Sequence, residues 1–275
     1  MRWVNAAMQC VADFLVDERC HVCGTSSAVA DEGVREPAHP LAAPVEVFTL
    51  GSLRLRTHPL CLSCALRVKA WPEPLPLRRT NVHPGSSRPE PASTALHAYP
   101  AFVTDERFLV LIHLMKFGRR ERLAPWLARA MSGGLPSRAL ESLEAPAVLV
   151  PVPMDRGARA RRGFNQAERI AVELGRCWNV PVAPSALVKR RRTRPQSSLG
   201  RRERLVNLAG AFGPGRDEVR DRDVILVDDV VTTGATALAC TAALLDARAK
   251  TVRVVCAGYR PESAARPGKP AVLQS

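Results

Sequence analysis

The chain has 275 residues, 46% of them hydrophobic, and its 40 Lys and Arg against 26 Asp and Glu give a formal charge of +14 at pH 7. That length holds one large domain, or a medium domain with a small one, and the apolar fraction supplies a sizeable core, so a soluble globular protein is expected. No apolar run is long enough for a transmembrane helix, and the charge excess reflects either an acidic partner, such as nucleic acid or a polyphosphate, or a coding bias toward Arg.

At the N-terminus Trp3, Ala7, Met8, Val11, Phe14 and Leu15 fall near helical spacing, while Asn5, Gln9 and Asp13 interrupt any signal-peptide core. An amphipathic helix of a cytoplasmic protein is expected. Two CxxC knuckles follow, Cys20-His21-Val22-Cys23 and Cys61-Leu62-Ser63-Cys64. Each presents two thiolates from one turn, and four sulfurs close a tetrahedral Zn2+ site, with His21 and His58 as spare ligands. The intervening residues 24–60 are longer than a usual ribbon insert and carry Pro37, Pro40, Pro44 and Pro59, so they read as irregular. A redox or disulfide role and a lost metal stay as alternatives, the disulfide disfavoured in a reducing compartment. Cys10, Cys177, Cys240 and Cys256 read as buried thiols. Residues 1–70 thus form a zinc-binding module. Residues 71–100, with prolines at 72, 74, 76, 84, 89, 91 and 100, read as a linker.

From residue 101 to 275 the pattern alternates between helix and strand. Thr104 or Asp105 caps a helix that carries Phe108, Leu111, Ile112 and Met115 on one face and stops at Gly118, and RRERLAPWLARAM continues as a second helix. Ala147 to Val150, closed by Pro151 and Pro153, reads as a buried strand. Asn165 with Glu168 opens a helix as a capping box. Val224 to Val227 is a strand, Ala235 to Ala247 a helix and Thr251 to Ala257 the closing strand. Strand, helix, strand in that order makes a parallel sheet whose ligands bind beyond the carboxyl ends of the strands.

Asp228-Asp229 sits there. The following turn, Val230-Val231-Thr232-Thr233-Gly234-Ala235-Thr236, leads into a helix whose first N–H groups suit a phosphate, with threonine hydroxyls adding donors. The carboxylates repel a phosphate and fit neutral hydroxyls beside it, so a sugar phosphate satisfies both features. Adjacent strand residues point to opposite sides, so one acid alone faces the sugar unless the chain bends. A receiver-domain acid pair needs further strands downstream, with another Asp and a Lys, and no GxxxxGK[ST] segment supports a P-loop NTPase.

VILVDDVVTTGAT, residues 224–236, resembles the phosphoribosyl pyrophosphate motif of type I phosphoribosyltransferases. By that resemblance Asp228 and Asp229 contact the ribose 2′ and 3′ hydroxyls at the catalytic centre, and Thr232, Thr233, Gly234, Ala235 and Thr236 cradle the 5-phosphate. Together with the knuckles and the segments MKFGRRERLAPWLA, VPVPMDRGARARRGFNQAERIA and KRRRTRPQSSLGRRERLVNLAGAF, the chain resembles the ComF family of competence and DNA-uptake proteins. The resemblance implies an α/β fold, a type I phosphoribosyltransferase-like parallel sheet flanked by helices, behind a small four-cysteine zinc-ribbon module. It also implies binding of phosphoribosyl pyrophosphate, or a related ribose 5-phosphate, with Mg2+. The competing reading is a non-catalytic accessory of a DNA translocase that binds single-stranded DNA or nucleotides.

Two basic segments belong to either reading. Arg156, Arg159, Arg161, Arg162 and Gly163 follow the strand ending at Pro153 and read as a loop whose guanidinium forks and amides suit a pyrophosphate. Lys189 to Arg204 is the second, with the flexible centre Gln196-Ser197-Ser198-Leu199-Gly200, and in the resembling enzymes a mobile hood lies between these two elements and closes over the substrate. The tryptophans are scattered away from these runs, so no base-stacking platform is evident.

Overall fold

The computed structural model describes residues 20, 45–50, 53–57, 68–71, 74–77, 96–117, 123–133, 135, 139–141, 143–144, 146–191, 193, 201–216 and 219–260. In chain order the first elements are β1 (Val45–Leu50) and β2 (Leu53–Thr57), an antiparallel pair with Leu50 opposite Leu53. This hairpin lies in the insert expected to be irregular. The alternation on both sides of Gly51-Ser52 is a hairpin signal that the surrounding prolines obscured.

A five-stranded sheet forms the body. It is built from β3 (Leu75–Leu77), β4 (Leu96–Val103), β5 (Ala147–Pro151), β8 (Asp223–Val231) and β9 (Thr251–Tyr259), in the spatial order β3-β4-β9-β8-β5. The last four run parallel, and β3 pairs antiparallel with β4 at the edge. Leu75–Leu77 and Leu96–Pro100 lie in the stretch read as a linker, yet both are strands of the main sheet. Proline is tolerated at a sheet edge, and Pro76 sits there opposite His97.

Helices cover both faces, as a parallel sheet requires. The residues of β8 divide by alternation: Ile225 and Val227 join one core cluster, Val224 and Leu226 the other. The first cluster is closed by α1 (Glu106–Phe117), α2 (Leu123–Ser132) and α4 (Gln166–Trp178). The second is closed by α6 (Ala235–Asp246) and by a small subassembly of β6 (Leu187–Lys189), α5 (Arg201–Leu208) and β7 (Phe212–Pro214). The remaining helix, α3 (Arg156–Arg162), connects β5 to α4. Between α2 and α4, Glu173 accepts from Arg129 Nε at 2.7 Å and Arg176 at 3.1 Å. Burial pushes the Glu173 carboxyl up, and the two guanidiniums outweigh it, leaving it below its ordinary value.

Caps set the helix starts at the site end. Asp105 Oδ1 accepts from Phe108 N at 2.8 Å, which settles the start of α1 on Asp105 rather than Thr104. Asn165 Oδ1 accepts from Ala167 N at 3.2 Å, and its amide donates to Val152 O at 3.0 Å, tying the start of α4 to the end of β5. At the end of β9, Gly258 lacks a side chain where a Cβ would come within 2.6 Å of the Phe108 ring. That gap lets the start of α1 lie against the carboxyl end of the sheet.

Candidate functional site

The site grows from unequal strand lengths. β5 ends at Pro151, opposite Val227, whereas β8 continues beside β9 until Val231 meets Tyr259. Asp228 and Asp229 therefore lie inside a strand, past the residues 224–227 expected from sequence, at positions where the neighbour on the β5 side has stopped. A strand edge opened on one side exposes whatever those positions carry, and here they carry two acids.

Strand alternation separates the acids. Asp229 follows Ile225 and Val227 onto the face covered by α1, where Lys116 Nζ lies 2.7 Å from its Oδ2. Its Oδ1 accepts from Val230 N at 2.6 Å, and the residue is 9% exposed. Asp228 follows Val224 and Leu226 and has no ion pair among the described residues. Its Oδ1 accepts from the N–H of Asp229 at 2.8 Å. Burial pushes the Asp228 carboxyl up to about 7 and the adjacent Asp229 charge pushes the same way, against Lys116 and the backbone N–H. Two buried thiols, Cys240 of α6 and Cys256 of β9, are likewise pushed up, by burial first and by the Asp228 charge second.

Beyond Val231 the chain turns into α6. Gly234 takes the N-cap position with φ 76° and ψ 0°, a left-handed conformation that favours glycine. Thr233 Oγ1 accepts from Ala235 N at 3.2 Å. The first N–H groups of a helix have no intrahelical acceptor, and a glycine cap supplies none from a side chain. Thr232, Thr233 and Thr236 are half-buried around this helix start, and Gly234 and Ala235 are buried. The five predicted phosphate-cradle residues thus occupy one turn, directly after the acids.

The arginines expected in a loop stand on a short helix instead. Asp155 Oδ1 accepts from Gly157 N at 3.0 Å and Ala158 N at 3.4 Å, and this cap starts α3. Gly163 ends it with φ 85°. Arg156, Arg161 and Gly163 are exposed and Arg162 half-buried, while Arg159 pairs with Glu168 at 2.9 Å. Because Val152 N donates to Val227 O at 2.9 Å, α3 departs from the same carboxyl edge of the sheet as the β8 turn.

A family model for the phosphoribosyl transferase domain matches residues 158–273. The DNA utilization protein YhgH of Escherichia coli is 37% identical over 150 residues, covering 54% of this chain and 65% of that protein. Competence protein F of Haemophilus influenzae is 28% identical over 194 residues, 68% of this chain and 84% of its own length. Competence protein ComFC of Bacillus subtilis is 35% identical over 89 residues, 32% of this chain and 34% of its own. The chain is similar to proteins named for competence and DNA utilization and carries a phosphoribosyl transferase domain. The match thus spans less than two thirds of the first relative's length.

The main sheet is type I phosphoribosyltransferase-like, and β6 and α5 carry the two ends of the second basic segment. Part of the second basic segment is structural. Arg190 N donates to Ala211 O at 2.9 Å, and Arg191 Nη2 donates to Asn207 O at 2.9 Å and Ala209 O at 2.7 Å, closing the end of α5. Lys189 Nζ lies 5.9 Å from the Phe212 ring centroid; burial lowers its pKa, against the nearby Asp155. The flexible centre, residues 196–200, lies outside the described residues, as does the predicted N-terminal helix.

Of the four predicted zinc ligands, Cys20 is buried in the core cluster that also holds Val68, Ala101 and Phe102. Cys23, Cys61 and Cys64 lie outside the described residues. Cys177 was expected to be buried and is exposed, at the outer end of α4. Among the described residues no three His, Cys, Asp or Glu side chains converge as a metal cage, and no helix is long and apolar enough to cross a membrane. Sequence reasoning missed Lys116. Its only local signal is a lysine in the last turn of α1, and the partner that gives it meaning is far away in the chain.

Proposed function

We propose that this protein is a ComF-like phosphoribosyltransferase that binds phosphoribosyl pyrophosphate, or a closely related ribose 5-phosphate, at the carboxyl edge of its sheet and transfers the ribosyl group to a nitrogenous acceptor. The observation that carries the reading is the single turn from Asp228 to Thr236, where a carboxylate without an ion pair is followed by a glycine-capped helix start. A neutral sugar hydroxyl donates to the carboxylate, and the dianionic 5-phosphate accepts from the first N–H groups of α6 and the threonine hydroxyls. Neither group satisfies the other's site, so the turn selects a ligand carrying both.

Arg156, Arg161 and Arg162 supply donors for the pyrophosphate across the gap left by the end of β5, whereas the Gly163 N–H is already given to Arg159 O at 2.7 Å. Mg2+ brought in with the ligand would offset charge on the leaving group at the Asp228 side of the site. In transfer, the bond from C1 to the pyrophosphate oxygen breaks, the electron pair leaves with that oxygen, and the acceptor nitrogen forms the new bond to C1. Closure of the hood over the bound sugar excludes water from the intervening cationic state. The N-terminal cysteines Cys20, Cys23, Cys61 and Cys64 hold a structural Zn2+ in this reading, and the protein works in the cytoplasm. Calorimetric titration with phosphoribosyl pyrophosphate and Mg2+ tests it: saturable binding supports the assignment, and no binding at any ratio overturns it.

A second reading follows from the exposed arginines of α3 and from relatives named for DNA utilization and competence. In it the site holds single-stranded DNA or nucleotide ends beside a DNA translocase, without catalysis. Affinity for single strands then falls with salt at a log–log slope of roughly −0.7 per phosphate contacted, and is indifferent to Asp228→Asn.

A further inference from the structure

We infer that Lys116 is a positioning residue of this site: by pairing with Asp229 it withholds that carboxylate from the ligand and leaves Asp228 as the acid that receives the ribose hydroxyls. The inference rests on the ribose reading proposed above and says which of two adjacent acids carries it. Both oxygens of Asp229 are engaged, Oδ2 by Lys116 Nζ at 2.7 Å and Oδ1 by Val230 N at 2.6 Å. The Asp229 side chain is 12% exposed and that of Lys116 23%. Asp228 has no such cation among the described residues.

The lysine reaches its partner because of where α1 lies. The helix begins beside Gly258, at the carboxyl end of β9, where Phe108 fills the space a Cβ would take, and its last turn delivers Lys116 to β8. Helix α1 thus runs from one strand end to the next, over the site. Its last turn also favours a cation, since helix carbonyls are unsatisfied there.

Removing the cation affects Asp228 as well. The charged and titratable groups around Asp228 are Asp229 on its own strand, Lys116 from α1, Cys240 from α6 and Cys256 from β9. Both thiols are held neutral by burial, so Lys116 is the cation that offsets Asp229 and keeps Asp228 ionisable near neutrality. Without it, two neighbouring carboxylates compete to stay charged in a partly desolvated place.

The test is calorimetry of phosphoribosyl pyrophosphate with Mg2+ between pH 6 and 9, on the full chain, for Lys116→Met, Lys116→Arg, and Lys116→Met in an Asp229→Asn background. The expected result for Lys116→Met is affinity about tenfold weaker at pH 7, with the pH dependence of binding moved up by about one unit. Lys116→Arg recovers most of the loss. In the Asp229→Asn background, removing the lysine has less than about a twofold further effect, because the charge it offsets is gone. Should Lys116→Met alone unfold by circular dichroism, the double variant, which strands no buried charge, still decides by comparison with Asp229→Asn. An equal loss in both backgrounds without a pH shift makes Lys116 a direct phosphate ligand and overturns the assignment. Unchanged affinity and pH profile overturn it too. A wild-type chain that binds no phosphoribosyl pyrophosphate overturns the ribose reading itself, an outcome distinct from a binding wild type with indifferent variants.

Discussion

Leu77 rests against Gly234: a Cβ added to the glycine would come within 2.9 Å of Leu77 Cδ2. The contact joins the antiparallel edge strand β3 to the turn proposed to hold the 5-phosphate, so the outermost strand of the sheet backs that turn. Gly234→Ala meets two obstacles, the left-handed φ of 76° and the Leu77 side chain. A non-glycine residue in that conformation costs about 1–2 kcal/mol. We expect Gly234→Ala to lower the melting temperature and to weaken ligand binding, and Leu77→Ala added to it to relieve the contact while leaving the φ cost. Thermal melts of the single and double variants check this; a Gly234→Ala chain as stable as wild type contradicts the conformation of the turn.

The raised Asp228 carboxyl makes a signed prediction for stability. Its folded value of about 7 stands above the ordinary 3.8, so between these values the folded state binds more protons than the unfolded one. The contribution to stability is complete below about pH 4 and is lost as pH rises through about 7. Asp228→Asn removes this slope. Chemical denaturation from pH 4 to 8 should show wild-type stability falling relative to Asp228→Asn over that window, and parallel curves contradict the burial of the acid.

The arginines of α3 are assigned to pyrophosphate rather than to sugar. Replacing Arg156 and Arg161 together with Ala should weaken phosphoribosyl pyrophosphate by roughly 10- to 100-fold, the size of a lost charge-assisted contact. Binding of ribose 5-phosphate, which lacks the pyrophosphate, should change by less than about threefold. Calorimetry with both ligands checks the split, and equal losses for the two place the arginines elsewhere.

Local signals made much of this fold legible from sequence. The strand-helix-strand run ending the sheet, the Asn165 cap and the Asp105 cap are each set by residues within a turn of one another, and the structure shows all three. Long-range pairing was not legible. Leu75–Leu77 is a strand only because Leu96–Ala98 lies beside it, and its prolines alone read as a linker. The arginine run after Pro153 was read as a loop although Asp155 precedes it as a helix cap. Alternation predicted that Asp228 and Asp229 point to opposite sides unless the chain bends, but the cation that makes their surroundings differ, Lys116, is brought from a distant helix.

Metal content tests the N-terminal proposal separately. We expect about one zinc per chain by elemental analysis. Cys61→Ser with Cys64→Ser should abolish it while leaving phosphoribosyl pyrophosphate affinity within about threefold. A zinc-free wild-type chain of unchanged stability ends the structural-zinc assignment.

The most direct measurement of the central claim is the affinity of wild type, Asp228→Asn and Asp229→Asn for phosphoribosyl pyrophosphate in the presence of Mg2+. Hydrogen bonds to a charged group are worth about 1.5–3 kcal/mol, so Asp228→Asn should weaken binding by roughly 10- to 150-fold, and by distinctly more than Asp229→Asn does. Equal affinity of Asp228→Asn and wild type, both remaining folded, contradicts a ribose seated at this acid.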